Sequence, residues 1–289
     1  LHGSEHSFPT RRSSDLSTIV IGVFDSGYGG LSILRQVRQL LPQYDYLYLG
    51  DNARAPYGSR SFDVVYRYTL EAVRELFNRG CELVILACNT ASAKALRSIQ
   101  QNDLPTLAPD KRVLGVIRPT VEALGDITHS RHVGIMATQG TIRSRSYDLE
   151  IEKFFPDVKV TGLACPMWVP LVEYGEFDSP GADYFVKKRI DEILRIDPDI
   201  DTLVLGCTHY PLLLPAILRH VPRGITVVPQ GDYVAHSLCD YLQRHPEMET
   251  RLAKNGKVEF LTTEEPNKFR ESATIFMPDT DVKVEQITL

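Results

Sequence analysis

Short apolar, β-branched runs alternate with helix-length segments along almost the whole chain, and this alternation restricts the fold more than any other feature. STIVIGVFD is followed by GLSILRQVRQLLP, YDYLYLGD by SFDVVYRYTLEAVRELFNRG, and CELVILAC by TASAKALRSIQQ. The first member of each pair reads as a strand. The second reads as a helix, with apolar residues at three- and four-residue steps and Pro or Gly closing the first two. Strands and helices in alternation give a mainly parallel sheet covered by helices, an α/β fold.

The pattern then restarts. RVLGVIRPTVEALGD, SRHVGIMAT with QGTIRSRSYDLEIEKFF, VKVTGLAC with PGADYFVKKRIDEILR, and IDTLVLGC repeat the order of parts. VIGVFDSGYGG in the first half corresponds to HVGIMATQGT in the second, and LVILACNTA to TLVLGCTHY. We expect two pseudo-symmetric, doubly wound domains with mainly parallel sheets: residues 18–115 with 226–289, and residues 116–225. The chain would cross near Leu114–Pro119 and return near Val221–Gln230, a double hinge, with the Gly224–Gln230 strand crossing back. KVEFLTTEEPNKFRESATIFM reads as a strand and a short helix on the first domain. Ligands of open α/β sheets lie beyond the carboxyl ends of the strands, which puts the active site in the cleft between the domains. Residues 1–17, LHGSEHSFPTRRSSDLS, lack the apolar centre of a secretion signal and read as a disordered or non-native leader.

A net charge of −5 over 289 residues, with Lys and Arg scattered, makes nucleic acid or a membrane surface a poor partner. No apolar run approaches the roughly 18–20 residues of a spanning helix. The five cysteines, Cys81, Cys88, Cys165, Cys207 and Cys239, are odd in number and form no CxxC pair. That argues against a disulfide framework and a structural zinc site, and for a reduced, cytoplasmic setting.

Cys88 and Cys207 stand at the same point of matching strand–turn–helix units. A thiol at a helix start sits where backbone N–H groups favour the thiolate, and His209 lies two residues beyond Cys207. One buried cysteine is usually a small apolar filler. Two in matched turns are better read as a functional pair, whereas Cys81 and Cys239, on helix margins, and Cys165, before a proline loop, keep the filler reading. Around the pair gather Ser26 and the glycines of DSGYGG, Asn89, Thr90 and Ser92, Thr138, Thr141 and Ser144, and Thr208. Any one hydroxyl could simply cap its own helix. Together with free N–H groups at several helix starts they suit the carboxylates of a small polar molecule. DSGYGG has neither phosphate-loop nor dinucleotide-loop spacing. Asp25 ends the first strand, Glu173 follows a strand in PMWVPLVEYGE, and His209 adjoins Cys207. All three are candidates for proton traffic or for holding an ammonium.

DSGYGG, DNARAPYG, ACNTAS, GTIRS, CPMWVPLVE and LGCTHYPLL stand in the order, and near the spacing, of the glutamate racemases. The resemblance runs from Thr18 to about Met277. It implies a cofactor-free 1,1-proton transfer between L- and D-glutamate in the cytoplasm of a bacterium, supplying peptidoglycan synthesis. A homodimer without a metal is expected, although oligomeric state varies in the family and does not follow from the resemblance. The resemblance implies Cys88 and Cys207 as the acid/base pair, with Asp25, Glu173 and His209 in support. Asp25, Ser26, Tyr57, Gly58, Asn89, Thr90, Thr208 and His209 match substrate contacts. Tyr28 departs from the pattern, where a small aliphatic residue is commoner, and Trp168 could be a packing anchor, a subunit contact or part of a regulatory pocket.

Three alternatives are weighed. A racemase of aspartate or another acidic amino acid would share the paired thiols. A cysteine hydrolase would use Cys207 and His209, but residues two apart on one turn are an awkward nucleophile–base pair, and Cys88 would be idle. An amino-acid-binding protein without catalysis would leave both thiols unexplained.

Overall fold

The computed structural model describes residues 19–278, 280 and 282–289; the expected leader, 1–17, lies outside the described residues. One sheet holds six strands and the other four. The first contains β1 (Val20–Asp25), β2 (Tyr46–Gly50), β3 (Cys81–Leu86), β4 (Arg112–Gly115), β9 (Val258–Thr262) and β10 (Val284–Gln286). The second contains β5 (His132–Ala137), β6 (Lys159–Ala164), β7 (Thr202–Gly206) and β8 (Thr226–Val228). Every strand pair in both sheets is parallel.

The strand orders are β10-β9-β2-β1-β3-β4 and β6-β5-β7-β8. Removing β9 and β10 leaves the same order twice, with β5 in the place of β1 and β7 in the place of β3. In both sheets the order reverses between those two strands, so the loops that follow them run to opposite faces and leave a crevice at the carboxyl edge. Asp25 ends β1, and Cys88 stands two residues past β3. Thr138 directly follows β5, and Cys207 directly follows β7. The repeated order therefore delivers both thiols to equivalent crevices.

Burial explains why the strands read as continuous apolar runs. Helices cover both faces, so β2 and β7 are buried at every residue, and β1 and β5 at all but the first. The helix Phe62–Asn78 starts at Ser61, whose Oγ accepts from the Val64 N–H at 3.4 Å. It is followed by Gly80 at φ +92°, a left-handed conformation that favours glycine.

Several expectations are corrected. Thr226–Val228 does not cross back; it pairs with β7 as the edge of the second sheet. The return falls at Pro229–Gln230, where proline ends the β-branched run and the helix Gly231–Arg244 packs on Gly30–Leu40 of the first unit. TASAKALRSIQQ is broken into the helix Asn89–Lys94, a single turn and a π-helical segment, Ile99–Asp103. Cys81 begins β3 rather than bordering a helix, and Glu173 ends a short helix, Trp168–Glu173, rather than lying in a loop. The tail adds β10 beside β9, a strand absent from the sequence reading. No helix among the described residues is long and apolar enough to cross a membrane.

Candidate active site

A cavity of ≈ 210 Å³ opens at the carboxyl edges of both sheets, and both Cys88 and Cys207 line it. That volume suits a small metabolite. Apart from the two sulfurs, the wall is formed by Asp25, Ser26, Asn89 and Thr90 from the first unit and by Thr138, Thr208 and His209 from the second. Tyr57 and Gly58, from the DNARAPYG segment after β2, also line the cavity, with Ser59, Gln139 and Glu173. Cys165, Val169 and Pro170 add an apolar side.

On the first side, Cys88 is the N-cap of the helix Asn89–Lys94, and its sulfur accepts from the Ala91 N–H at 3.4 Å. Ser26 Oγ lies 3.4 Å from the same sulfur. Asp25 is 1% exposed; its Oδ2 accepts from the Gly27 N–H at 2.9 Å. Its Oδ1 is buried without a hydrogen-bond partner. A buried acceptor left bare is costly, and a cationic group in the cavity would answer it. Burial raises the Asp25 pKa, against lowering by His209 and by the Gly27 and Gly30 N–H groups. Burial, and then the Asp25 carboxyl, push the Cys88 thiol up to about 12 despite Ser26 and the Ala91 N–H. Cys88 is thus held as a neutral thiol.

The second side is built differently. His209 Nδ1 lies 3.8 Å from Cys207 Sγ, and its Nε2 lies 3.0 Å from Glu173 Oε1. Burial pulls the imidazole pKa down, but the hydrogen bonds to Cys207 and Glu173 outweigh it and hold the ring up to about 10. At neutral pH His209 is therefore an imidazolium between a sulfur and a carboxylate. The pairing of Cys207 with His209, awkward on spacing alone, exists because His209 stays on the helical side of the turn with its ring folded back.

Hydrogen bonds join the two units beside the cavity. The Gly140 N–H donates to Gly58 O at 2.8 Å, and Ser32 Oγ donates to Thr208 O at 2.9 Å. The hydroxyls of Thr90 and Thr138 are 2.9 Å apart.

Of the residues singled out in the sequence, Asp25, Ser26, Tyr57, Gly58, Cys88 and Asn89 come together at the cavity, with Thr90, Thr138, Glu173, Cys207, Thr208 and His209. Thr141 does not line it; its hydroxyl lies 3.4 Å and 3.2 Å from those of Thr90 and Thr138. Ser92 and Ser144 are occupied with the carbonyls of Leu86 and Thr141. Cys165, read as filler, is buried and nonetheless reaches the wall. Tyr28 packs on Phe269, ring centroids 5.5 Å apart, and is not part of the wall. Trp168 is 1% exposed and edge-on to Tyr210 at 4.8 Å, a packing anchor.

Sequence reasoning missed three supporting residues. Asp51 accepts hydrogen bonds from Tyr57 OH and from Arg54 Nε. Tyr147 and Gln230 both hydrogen-bond the Asn89 side chain. Asp51 stands inside a quoted motif and was within reach; nothing around Gln230 announces it.

The fold and the paired crevices define a class of small-molecule α/β enzymes with two thiols lining one cavity. Residues 30–237 match the Asp/Glu/Hydantoin racemase family, and the chain belongs to it. It is 40% identical over 269 residues to the glutamate racemase of Ruegeria pomeroyi, covering 90% of this chain and 97% of that one. The crystal structure of a glutamate racemase isoform from Bacillus anthracis superposes with a TM-score of 0.85 at 32% identity, covering 94% of this chain and 98% of that one. That of the Francisella tularensis glutamate racemase in complex with D-glutamate gives 0.83 at 30% identity, over 93% and 97% of the two chains. An aspartate racemase from Picrophilus torridus gives 0.50 at 15% identity over 78% and 94%, a likeness of fold alone.

Proposed function

We propose that the protein interconverts L- and D-glutamate without a cofactor, by proton transfer between Cys88 and Cys207 through the substrate Cα. The observation that carries this reading is the pair of thiols, delivered by repeated turns to one cavity. Inversion needs a base on one face of Cα and an acid on the other, and related turns in opposed units supply both. One sulfur takes the α-proton as thiolate while the other returns a proton as thiol, and the roles exchange with the enantiomer. The pair shares one charge and titrates as a unit.

The surrounding residues divide the remaining work. The bare Oδ1 of Asp25 receives the substrate ammonium. Ser26, Asn89, Thr90, Thr138 and Thr208 offer hydroxyl and amide donors to the carboxylates, with Tyr57 and Gly58 closing that wall and Thr141 bracing Thr90 and Thr138. His209, kept protonated by Glu173, faces Cys207 and balances charge there. Fixed dipoles of the N–H groups and hydroxyls around the cavity stabilise the developing carbanion. The homodimer and the cytoplasmic, peptidoglycan-supplying role belong to this reading; sedimentation velocity tests the dimer.

Cys207, His209 and Glu173 also form a nucleophile–base–carboxylate series, the arrangement of a thiol hydrolase. Incubation with L-glutamate in deuterated water separates the readings. Inversion predicts loss of optical rotation, with early deuterium in the D-enantiomer. Ammonia release with rotation unchanged would establish hydrolysis instead, and a protein that binds glutamate without either would be a sensor. A parallel run with L-aspartate, expected to be a poor substrate, tests the side-chain length.

A further inference from the structure

Asn89 follows Cys88 and lines the cavity, yet most of its hydrogen-bonding capacity is turned away from it. Its Nδ2 donates to Gln230 Oε1 at 2.6 Å, and its Oδ1 accepts from Tyr147 OH at 2.8 Å. Gln230 Nε2 donates to Tyr147 OH at 2.7 Å, closing a three-membered ring of side chains. Gln230 Nε2 also reaches Thr120 Oγ1 at 3.1 Å and Val116 O at 3.3 Å. Asn89, Tyr147 and Gln230 are 3%, 2% and 2% exposed, so water does not compete for these groups.

The sense of the ring is fixed by one atom. The Val116 carbonyl can only accept, and Thr120 Oγ1 already donates to it at 2.9 Å. The face of Gln230 turned to this pair must therefore be its NH₂ group. Its Oε1 then has to accept from Asn89, which fixes the NH₂ of Asn89 in turn. Tyr147 OH, accepting from Gln230, has its proton left for Asn89 Oδ1. Counting donors around the ring leaves one N–H without a partner, the second hydrogen of Asn89 Nδ2.

From this count we propose that Tyr147 and Gln230 are positioning residues for the reaction: they lock the Asn89 carboxamide with its spare N–H toward a substrate carboxylate. The lock also reports closure. Asn89 belongs to the first unit and Tyr147 to the second, Val116 and Thr120 stand at the outward crossing, and Gln230 stands at the return. Separating the units breaks the Tyr147–Asn89 bond and frees the amide to rotate, so the oriented donor exists only in the closed form. The inference rests on the racemase reading and adds how one of its substrate contacts is held.

A double-mutant cycle and an activity-free measurement test it together. Tyr147→Phe keeps the ring's packing and removes the hydroxyl; KM for glutamate should rise about tenfold with kcat little changed, the effect of one misplaced hydrogen bond. In an Asn89→Ala background the same substitution should change KM by less than about twofold, because it acts only through Asn89. A full tenfold rise in that background overturns the proposal. Gln230→Met, which removes the polar head and keeps the length, should reproduce the KM effect and the non-additivity. In the folded wild-type protein, the two side-chain amide protons of Asn89, identified by their loss in Asn89→Ala, should exchange with solvent at different rates. The proton on Gln230 is slow, and Tyr147→Phe brings the rates together. Equal exchange in the wild type overturns the lock even if the protein inverts nothing, whereas failed inversion with unequal exchange overturns only the functional reading.

Discussion

Gly29 offers a direct test of how tightly the second half of the site is held. It has ordinary helical angles, φ −58° and ψ −35°, so alanine brings no backbone strain. Its effect on the unfolded chain alone would stabilise by about 0.4–1 kcal/mol. The added methyl, however, falls well inside contact distance of Thr208 Oγ1 and His209 Nδ1, and 2.7 Å from His209 Cε1. With ordinary carbon contacts at about 3.5–4.0 Å, the imidazole must move by roughly 1 Å. It cannot do so and keep both 3.8 Å to Cys207 Sγ and 3.0 Å to Glu173 Oε1. Overpacking of this kind costs about 1–3 kcal/mol, more than the gain, so Gly29→Ala should lower Tm by a few degrees. A displacement of about 1 Å at a reacting group costs about 10²-fold, so kcat/KM should fall by that order, about 2.7 kcal/mol in the barrier. Gly181→Ala is the control: its nearest neighbour is Ser179 Oγ at 3.5 Å, and it should match or exceed wild-type Tm with full activity. Calorimetry and a polarimetric assay on both variants decide the matter. Gly29→Ala with activity within twofold of wild type would refute the claim that this glycine lets the units meet around His209.

Cys88→Ala and Cys207→Ala should each abolish inversion while leaving the melting temperature within a few degrees of wild type; a variant that keeps inversion removes its residue from the pair. His209, with its pKa raised from 6.5 to about 10, gives stability that is complete below the unfolded value and lost as pH rises through about 10. Denaturant titrations across that window should show the loss, and His209→Gln should flatten it. Glu173→Gln removes one of the groups that hold the proton on His209, so the alkaline fall in kcat/KM should move toward neutrality; an unmoved limb would separate Glu173 from His209. Trp168→Ala empties the largest fully buried side-chain site, so chemical denaturation should report a loss of about 3–5 kcal/mol.

The legible parts of the fold were those with a periodic or repeated signal. Alternating apolar runs located both sheets, and the matched turns at Cys88 and Cys207 identified the paired crevices because the same strand order occurs twice. Boundaries were read less well where two forces compete over a few residues. Thr226–Val228 lies next to a crossing, and only the free edge of β7 decides which sheet it joins. β10 has only three residues, Val284–Gln286, of which the last two are exposed, so it carries little apolar signal. At the site, residues that touch the cavity were mostly found, since their motifs crowd the strand ends. Gln230 and Tyr147 were invisible, because their role is a ring closed by residues 58, 83 and 141 positions apart.

The reaction proposed here treats the two faces of Cα alike, yet the two thiols have unlike neighbours. Cys207 faces a cation, His209, whereas Cys88 faces Asp25 and is held protonated by burial and by that carboxyl. Cys88 therefore keeps its proton until a cation reaches its side of the cavity. A base of that kind would be useless if the cavity kept its charge unchanged on binding. An ammonium placed against Asp25 Oδ1 changes it: a positive charge arrives beside both the carboxylate and Cys88, opposing the repulsion that holds the thiol neutral. The substrate thereby lowers the cost of the Cys88 thiolate, and does so only where an ammonium occupies the Asp25 side. A dicarboxylate lacking the amine would fill the same donors but leave Cys88 a thiol. The unequal surroundings are thus compatible with a reversible exchange, because the ligand supplies on the Asp25 side the cation that His209 supplies on the other.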